Sequence, residues 1–143
     1  MKIAVDAMGG DRAPEEILRG VALALESGHV EAEDVVLVGL PERLKPFLDE
    51  GPDLAAVEVV AASQVVTMAD SMATSLRGKP DSSIQVGLRL VKEGTASAFI
   101  SAGNTGAVVA CAWSLLHRLP GVRRPGIAVT FQSVKGPTTI LDV

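Results

Sequence analysis

Ser101-Ala102-Gly103-Asn104-Thr105-Gly106-Ala107 is the stretch on which the reading of this chain turns. Before it, Ala98-Phe99-Ile100 is short and apolar, as the end of a buried strand is. After it, Val108, Ala112, Leu115, Leu116 and Leu119 recur at helical spacing. The residues between therefore form a strand-to-helix turn. Gly103 and Gly106 permit positive φ or close backbone approach, and Asn104 or Thr105 can accept bonds from the first free N–H groups of the helix. A helix N-terminus with small residues and open amides suits phosphate or an oxyanion. The plainer alternative is a tight turn whose glycines only let the helix pack on its strand.

The same alternation runs through the rest of the chain. Lys2 to Val5 reads as a strand that opens into the loop Asp6-Ala7-Met8-Gly9-Gly10-Asp11. Pro14, Glu15 and Glu16 suit a helix's first turn, and Ile17, Leu18, Val21, Ala22 and Leu25 give that helix one apolar face before Gly28. Val35-Val36-Leu37-Val38-Gly39 is apolar without alternation, as strands covered on both faces are. Pro41 to Glu50 is a shorter helix, and Val57 to Ala62 a third strand. Asp81-Ser82-Ser83 caps a helix carrying Ile84, Leu88, Leu90 and Val91, with Gly94 as its stop. Ser97 to Ser101 is the fourth strand, Ile127 to Phe131 a fifth, and Thr138 to Val143 a sixth after the loop Gln132 to Pro137.

This order predicts a three-layer α/β/α sandwich with a mostly parallel, Rossmann-like sheet and right-handed crossovers. All six strands are expected in one sheet, with the last two free to be antiparallel neighbours. The 143 residues suit one domain. The abrupt end at Leu141-Asp142-Val143 reads as the front portion of a longer protein.

Composition narrows the partners. A net charge of −4, no basic stripe and four aromatic residues (Phe47, Phe99, Trp113 and Phe131) speak against nucleic acid. The single Cys111 leaves no internal disulfide framework and no cysteine-ligated zinc, and it falls on the apolar pattern of its helix as a small buried hydrophobe. No metal and no cofactor is expected. The N-terminus is no signal peptide and no apolar run is long enough to span a bilayer, so a cytoplasmic location is expected.

In sheets of this kind ligands bind outside the carboxyl ends of the strands. The Asp6–Asp11 loop, the long excursion Thr67–Lys79 and the Ser101–Gly106 turn all leave that edge. An excursion of this length within an α/β domain is usually functional or mobile; here it brings Arg77 and Lys79.

Several of these stretches also carry a resemblance. Met1 to Asp11, Asp81-Ser82-Ser83, Ser101 to Ala107, Leu119-Pro120-Gly121 and Val134-Lys135-Gly136 are similar, in order, to the bacterial phosphate acyltransferases of phospholipid synthesis, the PlsX type. The resemblance implies a fold related to phosphotransacetylases and isocitrate-dehydrogenase-like enzymes. It implies a homodimeric enzyme that moves a fatty acyl group from acyl carrier protein to inorganic phosphate, and a peripheral membrane association of the longer protein as a further expectation. Two departures stand out: Met72 in place of proline after Asp70-Ser71, and Gly78 and Pro80 within a usually more basic run.

Acyl transfer to phosphate asks for little covalent chemistry, because a thioester is already activated. The enzyme must hold phosphate against the carbonyl and stabilise the tetrahedral oxyanion. Gly9, Gly10, Ser101, Gly103, Asn104, Thr105, Gly106 and Lys79 are the candidates for binding phosphate or oxyanion, and Asn104, Asp6 and Lys135 for catalysis. Asp6 and Asp11 are too acidic to hold phosphate directly and are expected to orient a cation or accept loop amides. Ser101 lacks a G-x-S-x-G elbow. A non-catalytic phosphate- or nucleotide-binding module remains the alternative. A dinucleotide oxidoreductase is disfavoured, since the first turn lacks G-x-G-x-x-G and Gly39-Leu40-Pro41 stands where a ribose acid would. Docking of an acidic carrier would draw on Arg77, Lys79, Arg123 and Arg124.

Overall fold

The strand Val35–Gly39 (β2) lies at the centre of the molecule because every one of its side chains is apolar and both of its faces are covered. The computed structural model describes residues 1–51 and 53–142. In it, β2 pairs in parallel with Ile3–Asp6 (β1) on one side and with Glu58–Ala61 (β3) on the other. β1 pairs in parallel with Ala98–Ile100 (β4), giving a four-stranded sheet of order β3-β2-β1-β4.

Alternate residues of β2 enter different cores. Val35 and Leu37 pack with Leu18 and Val21 of helix Glu15–Glu26 (α1) and with Leu44 of helix Pro41–Glu50 (α2). Val36 and Val38 pack with Ala4 and with Val86 of helix Ser83–Lys92 (α3). On its outer side α3 places Ile84 and Leu88 against Ala107 and Cys111 of helix Thr105–Leu116 (α4). The expected three-layer arrangement is therefore present, with α1 and α2 on one face and α3 and α4 on the other. Ser82 is the N-cap of α3, its Oγ accepting the Gln85 amide. Gly87 lets α3 approach the sheet, because a Cβ there would collide with the Phe99 ring of β4.

The expectation of one six-stranded sheet is corrected. Ile127–Ser133 (β5) and Gly136–Asp142 (β6) form a separate antiparallel hairpin whose strands, among the described residues, pair only with each other. The predicted Gln132–Pro137 loop is a two-residue turn, Val134-Lys135, closed by Gly136 at φ +120°. The physical reason is legible in β5 itself. Ile127, Val129 and Phe131 alternate with Ala128, Thr130 and Gln132, the pattern of a sheet with one apolar face, unlike the unbroken apolar run of β2. Val143, expected to end the sixth strand, lies outside the described residues.

The packing of α3 on β4 makes a test available. Gly87→Ala should lower stability by about 1–3 kcal/mol, the usual cost of overpacking a filled core. Urea unfolding followed by circular dichroism would read this as a lower midpoint with an unchanged slope.

Candidate active site

The chain builds β1, β2 and β3 outward in one direction, then crosses back to set β4 on the other side of β1. Strand order thus reverses between β1 and β4, and the loops leaving their carboxyl ends form the crevice where such sheets bind ligands.

One buried carboxyl group joins the two loops. Asp6, at the end of β1, is 1% exposed. Its Oδ1 accepts the Met8 amide at 3.0 Å, and its Oδ2 accepts the Ser101 hydroxyl at 2.7 Å. Ser101 Oγ in turn accepts the Gly103 amide at 3.1 Å. The sequence reading that Asp6 fixes its loop by accepting amides agrees with this geometry. Gly9 completes the junction: a Cβ there would stand 2.6 Å from Asp6 Oδ2 and 2.8 Å from the Gly103 nitrogen, so only glycine fits. Gly10, at φ +103°, lies against the Ala102 carbonyl.

Asn104 begins α4. Its Oδ1 accepts the Ala107 amide at 3.0 Å, a side-chain N-cap. Its Nδ2 donates to the carbonyls of Thr67 and Asp70, each at 3.2 Å. The side chain is thus both cap and clasp, holding the long excursion after β3 over the start of α4. Among the described residues, no hydrogen bond uses the amides of Gly10, Asn104, Thr105 or Gly106. These backbone donors, with the positive end of the α4 dipole, are what the crevice offers an anion.

The excursion is fastened along its length. At its neck the Ser63 amide and hydroxyl donate to Asp81 Oδ2 at 3.0 and 2.6 Å. In the middle, Thr74–Gly78 forms one π-type helical turn, and Gln85 Nε2 donates to the Ser75, Leu76 and Lys79 carbonyls. Near its tip, Asp70 Oδ2 accepts the Thr67 amide, the Thr67 hydroxyl and the Lys79 ammonium. The Lys79 bond, first, and the Thr67 bonds hold the Asp70 carboxyl down at about 2. Cys111 is buried beneath this turn, 3.9 Å from the Ser75 carbonyl, and burial pushes its thiol pKa up.

Of the residues singled out from sequence, Asp6, Gly9, Gly10, Ser101, Gly103, Asn104, Thr105 and Gly106 come together at the β1–β4 crevice. Among the described residues, neither candidate lysine hydrogen-bonds to that cluster. Lys79 is engaged by Asp70 at 2.5 Å and by the Val65 carbonyl at 2.8 Å, because the excursion folds back on itself. Lys135 sits in the β5–β6 turn, on a hairpin that is not part of the four-stranded sheet. Ser101, bonded at both hydrogen and lone pair, is a structural link.

Sequence reasoning missed Asp70 and Arg43. The Thr67…Asp70 spacing was the signal for the first, a short polar loop closed by its own carboxylate. Arg43 lies in the first turn of α2, where the helix dipole opposes a cation. It borders a cleft of about 350 Å³ shared with Gly10, Asp11, Thr67, Met68 and Gly103, and donates to the Ala13 carbonyl at 2.8 Å.

Two outcomes follow from this geometry. Gly9→Ala should force the two loops apart and cut anion binding at least tenfold, read as a weaker phosphate-dependent rise in Tm. The Asp70 fastening should also depend on pH. Its folded pKa of about 2 lies below the ordinary 3.8, so the contribution is complete above 3.8 and is lost as pH falls through about 2. A carbon-detected NMR titration should show this midpoint, moved up toward 3.8 in Lys79→Met.

The family model described as "Fatty acid synthesis protein" matches residues 1–143. The chain is 47% identical over 143 residues to a protein of Desulfitobacterium hafniense (strain DSM 10664 / DCB-2) named phosphate acyltransferase, covering all of this chain and 42% of that protein. It is 46% identical over 145 residues to the phosphate acyltransferase of Heliobacterium modesticaldum, again with all of this chain and 42% of the relative covered. The phosphate acyltransferase of Moorella thermoacetica is 46% identical over 143 residues, 100% of this chain and 41% of its own length. The chain thus spans about two fifths of these relatives. Over its whole length, this chain belongs to the fatty acid synthesis protein family.

Proposed function

We propose that this chain carries the phosphate-binding and acyl-transfer crevice of an enzyme that moves a fatty acyl group from acyl carrier protein to inorganic phosphate. The acyl phosphate formed would feed phospholipid synthesis. The observation that carries the reading is the set of open amides at the switch point, Gly10 on one loop and Asn104 to Gly106 on the other. Its chemical direction comes from kinship with proteins named phosphate acyltransferase. The working form is proposed to be a cytoplasmic homodimer that associates peripherally with the membrane. Among the described residues no helix is long and apolar enough to cross a membrane.

The chemistry follows from these donors. Phosphate sits at the start of α4, held by backbone amides and the helix dipole. One of its oxygens attacks the thioester carbonyl, forming a carbon–oxygen bond and a tetrahedral oxyanion. The remaining amides at the turn stabilise that oxyanion; such a donor is worth about 3 kcal/mol in the transition state. The carbon–sulfur bond then breaks, and the carrier thiolate leaves and takes up a proton. Asp6 and Ser101 act as positioning residues that hold the two loops in register.

The direct test mixes the full-length protein that contains this chain with acyl carrier protein thioester and phosphate, trapping acyl phosphate as hydroxamate. Phosphate-dependent product is expected. Phosphate binding without product would favour the module reading. Asn104→Asp gives a sharper outcome. It keeps the cap oxygen on Ala107, loses the carbonyl contacts of Nδ2, and places a negative charge beside the anion. The KM for phosphate should rise at least tenfold, about 1.4 kcal/mol, with helix content unchanged.

A further inference from the structure

The open amides of the crevice can point at an anion, but they bring only partial charges. Phosphate carries more than one negative charge near neutral pH, and the floor of the crevice holds the Asp6 carboxyl group. A full positive charge is missing from that account. Lys79 is held by Asp70 and the Val65 carbonyl, and Lys135 sits in the hairpin turn. Arg77 lines a different groove, with Leu76 and Trp113 along α4. Arg12 lies 3.9 Å from the Glu16 carboxylate.

Arg43 is placed otherwise. It lines the cleft of about 350 Å³ between the first glycine loop and the excursion after β3, whose walls include Gly10, Asp11, Thr67 and Gly103. Gly10 carries one of the open amides, and Gly103 directly precedes Asn104, so the cleft is continuous with the crevice. Among the described residues the guanidinium makes no ion pair, and one bond, from Nη2 to the Ala13 carbonyl at 2.8 Å, holds it. That bond asks for one donor, whereas a guanidinium supplies five. The first turn of α2 is also an unfavourable place for a cation, because the positive end of the helix dipole lies there.

Asp11 is the one carboxylate among the described residues that line this cleft. With Arg43 present the walls are balanced in charge. Without it they keep a negative charge that rejects anions. One side chain therefore decides the sign of the potential that an incoming anion meets.

We propose that Arg43 is the cation of the anion site, donating its free N–H groups to oxygens of phosphate while the Gly10 amide and the amides at the start of α4 take the others. The planar fork of arginine suits two oxygens of one tetrahedral anion. The proposal rests on reading the crevice as a phosphate site.

The test measures binding and acyl transfer separately, in the full-length protein that contains this chain. Calorimetric titration with inorganic phosphate alone reads the site without any chemistry. Arg43→Gln should weaken phosphate about tenfold or more, and Arg43→Lys should recover part of the loss, since the charge returns without the fork. Adding Asp11→Asn to Arg43→Gln should regain roughly threefold, because the stranded negative charge is gone. With acyl carrier protein thioester as co-substrate, Arg43→Gln should raise the KM for phosphate by about the same tenfold and leave kcat and the thioester KM within about twofold. Equal phosphate affinity in wild type and Arg43→Gln overturns the proposal and leaves the crevice reading in place. A lower Tm without ligand, with both KM values raised alike and no gain from Asp11→Asn, also overturns it, since Arg43 would then only hold the first loop through Ala13. If phosphate binds in the Arg43-dependent manner and no acyl phosphate forms, the role of Arg43 stands and the acyl-transfer reading fails.

Discussion

Everything at the carboxyl edge of the sheet depends on the Asp6 carboxyl group being satisfied in a place water barely reaches. A buried carboxyl without partners is strongly unfavourable, so the Met8 amide and the Ser101 hydroxyl are requirements of the fold. Meeting them draws the first loop down onto the fourth strand's turn and presses Gly9 against Gly103. Both turns then have settled geometry before any ligand arrives. Pre-set donors of this kind need no reorganisation when charge develops on a substrate.

A second constraint acts from above. The excursion after β3 has little apolar material of its own at its tip, where Met68 and Met72 are exposed, and polar bonds hold it instead. Asn104, Asp70, Lys79, Gln85 and Asp81 each bond a different part of it. Polar fastening of a loop is easier to release locally than an apolar core, because each bond contributes modestly in net terms. The crevice therefore has a rigid floor, made by Asp6 and the glycines, and a roof tied on by individual hydrogen bonds.

Much of this architecture was legible in the residues. The unbroken apolar run of β2, the apolar stripe of α1 and the Asn104 cap were read correctly because each rests on local periodicity or spacing. The meeting of the Asp6, Thr67 and Ser101 loops was legible too, since parallel strands send their loops to one edge. Strand order was not: whether β4 adds beside β1 or beyond β3 depends on which crossover buries more surface. The surroundings of the two lysines were not legible, for a related reason. Lys79 has a carboxylate nine residues away in sequence, and only the fold brings that carboxylate within reach. Lys135 was offered for its charge, whereas the alternation along β5, which separates its hairpin from the sheet, was overlooked.

The Asp6–Ser101 bond also sets a schedule. Its partners are 95 residues apart in the chain, and at typical synthesis rates of about 5–20 residues per second the carboxylate emerges roughly 5–20 s before the hydroxyl. Through that interval β1 has no β4 beside it and the first glycine loop has nothing to rest on. The nascent chain can assemble α1, β2 and α2 in the meantime, but the crevice closes only when the Ser101 turn arrives. Anion binding at this edge thus has to wait for the Ser101 turn, however early the first glycine loop is made.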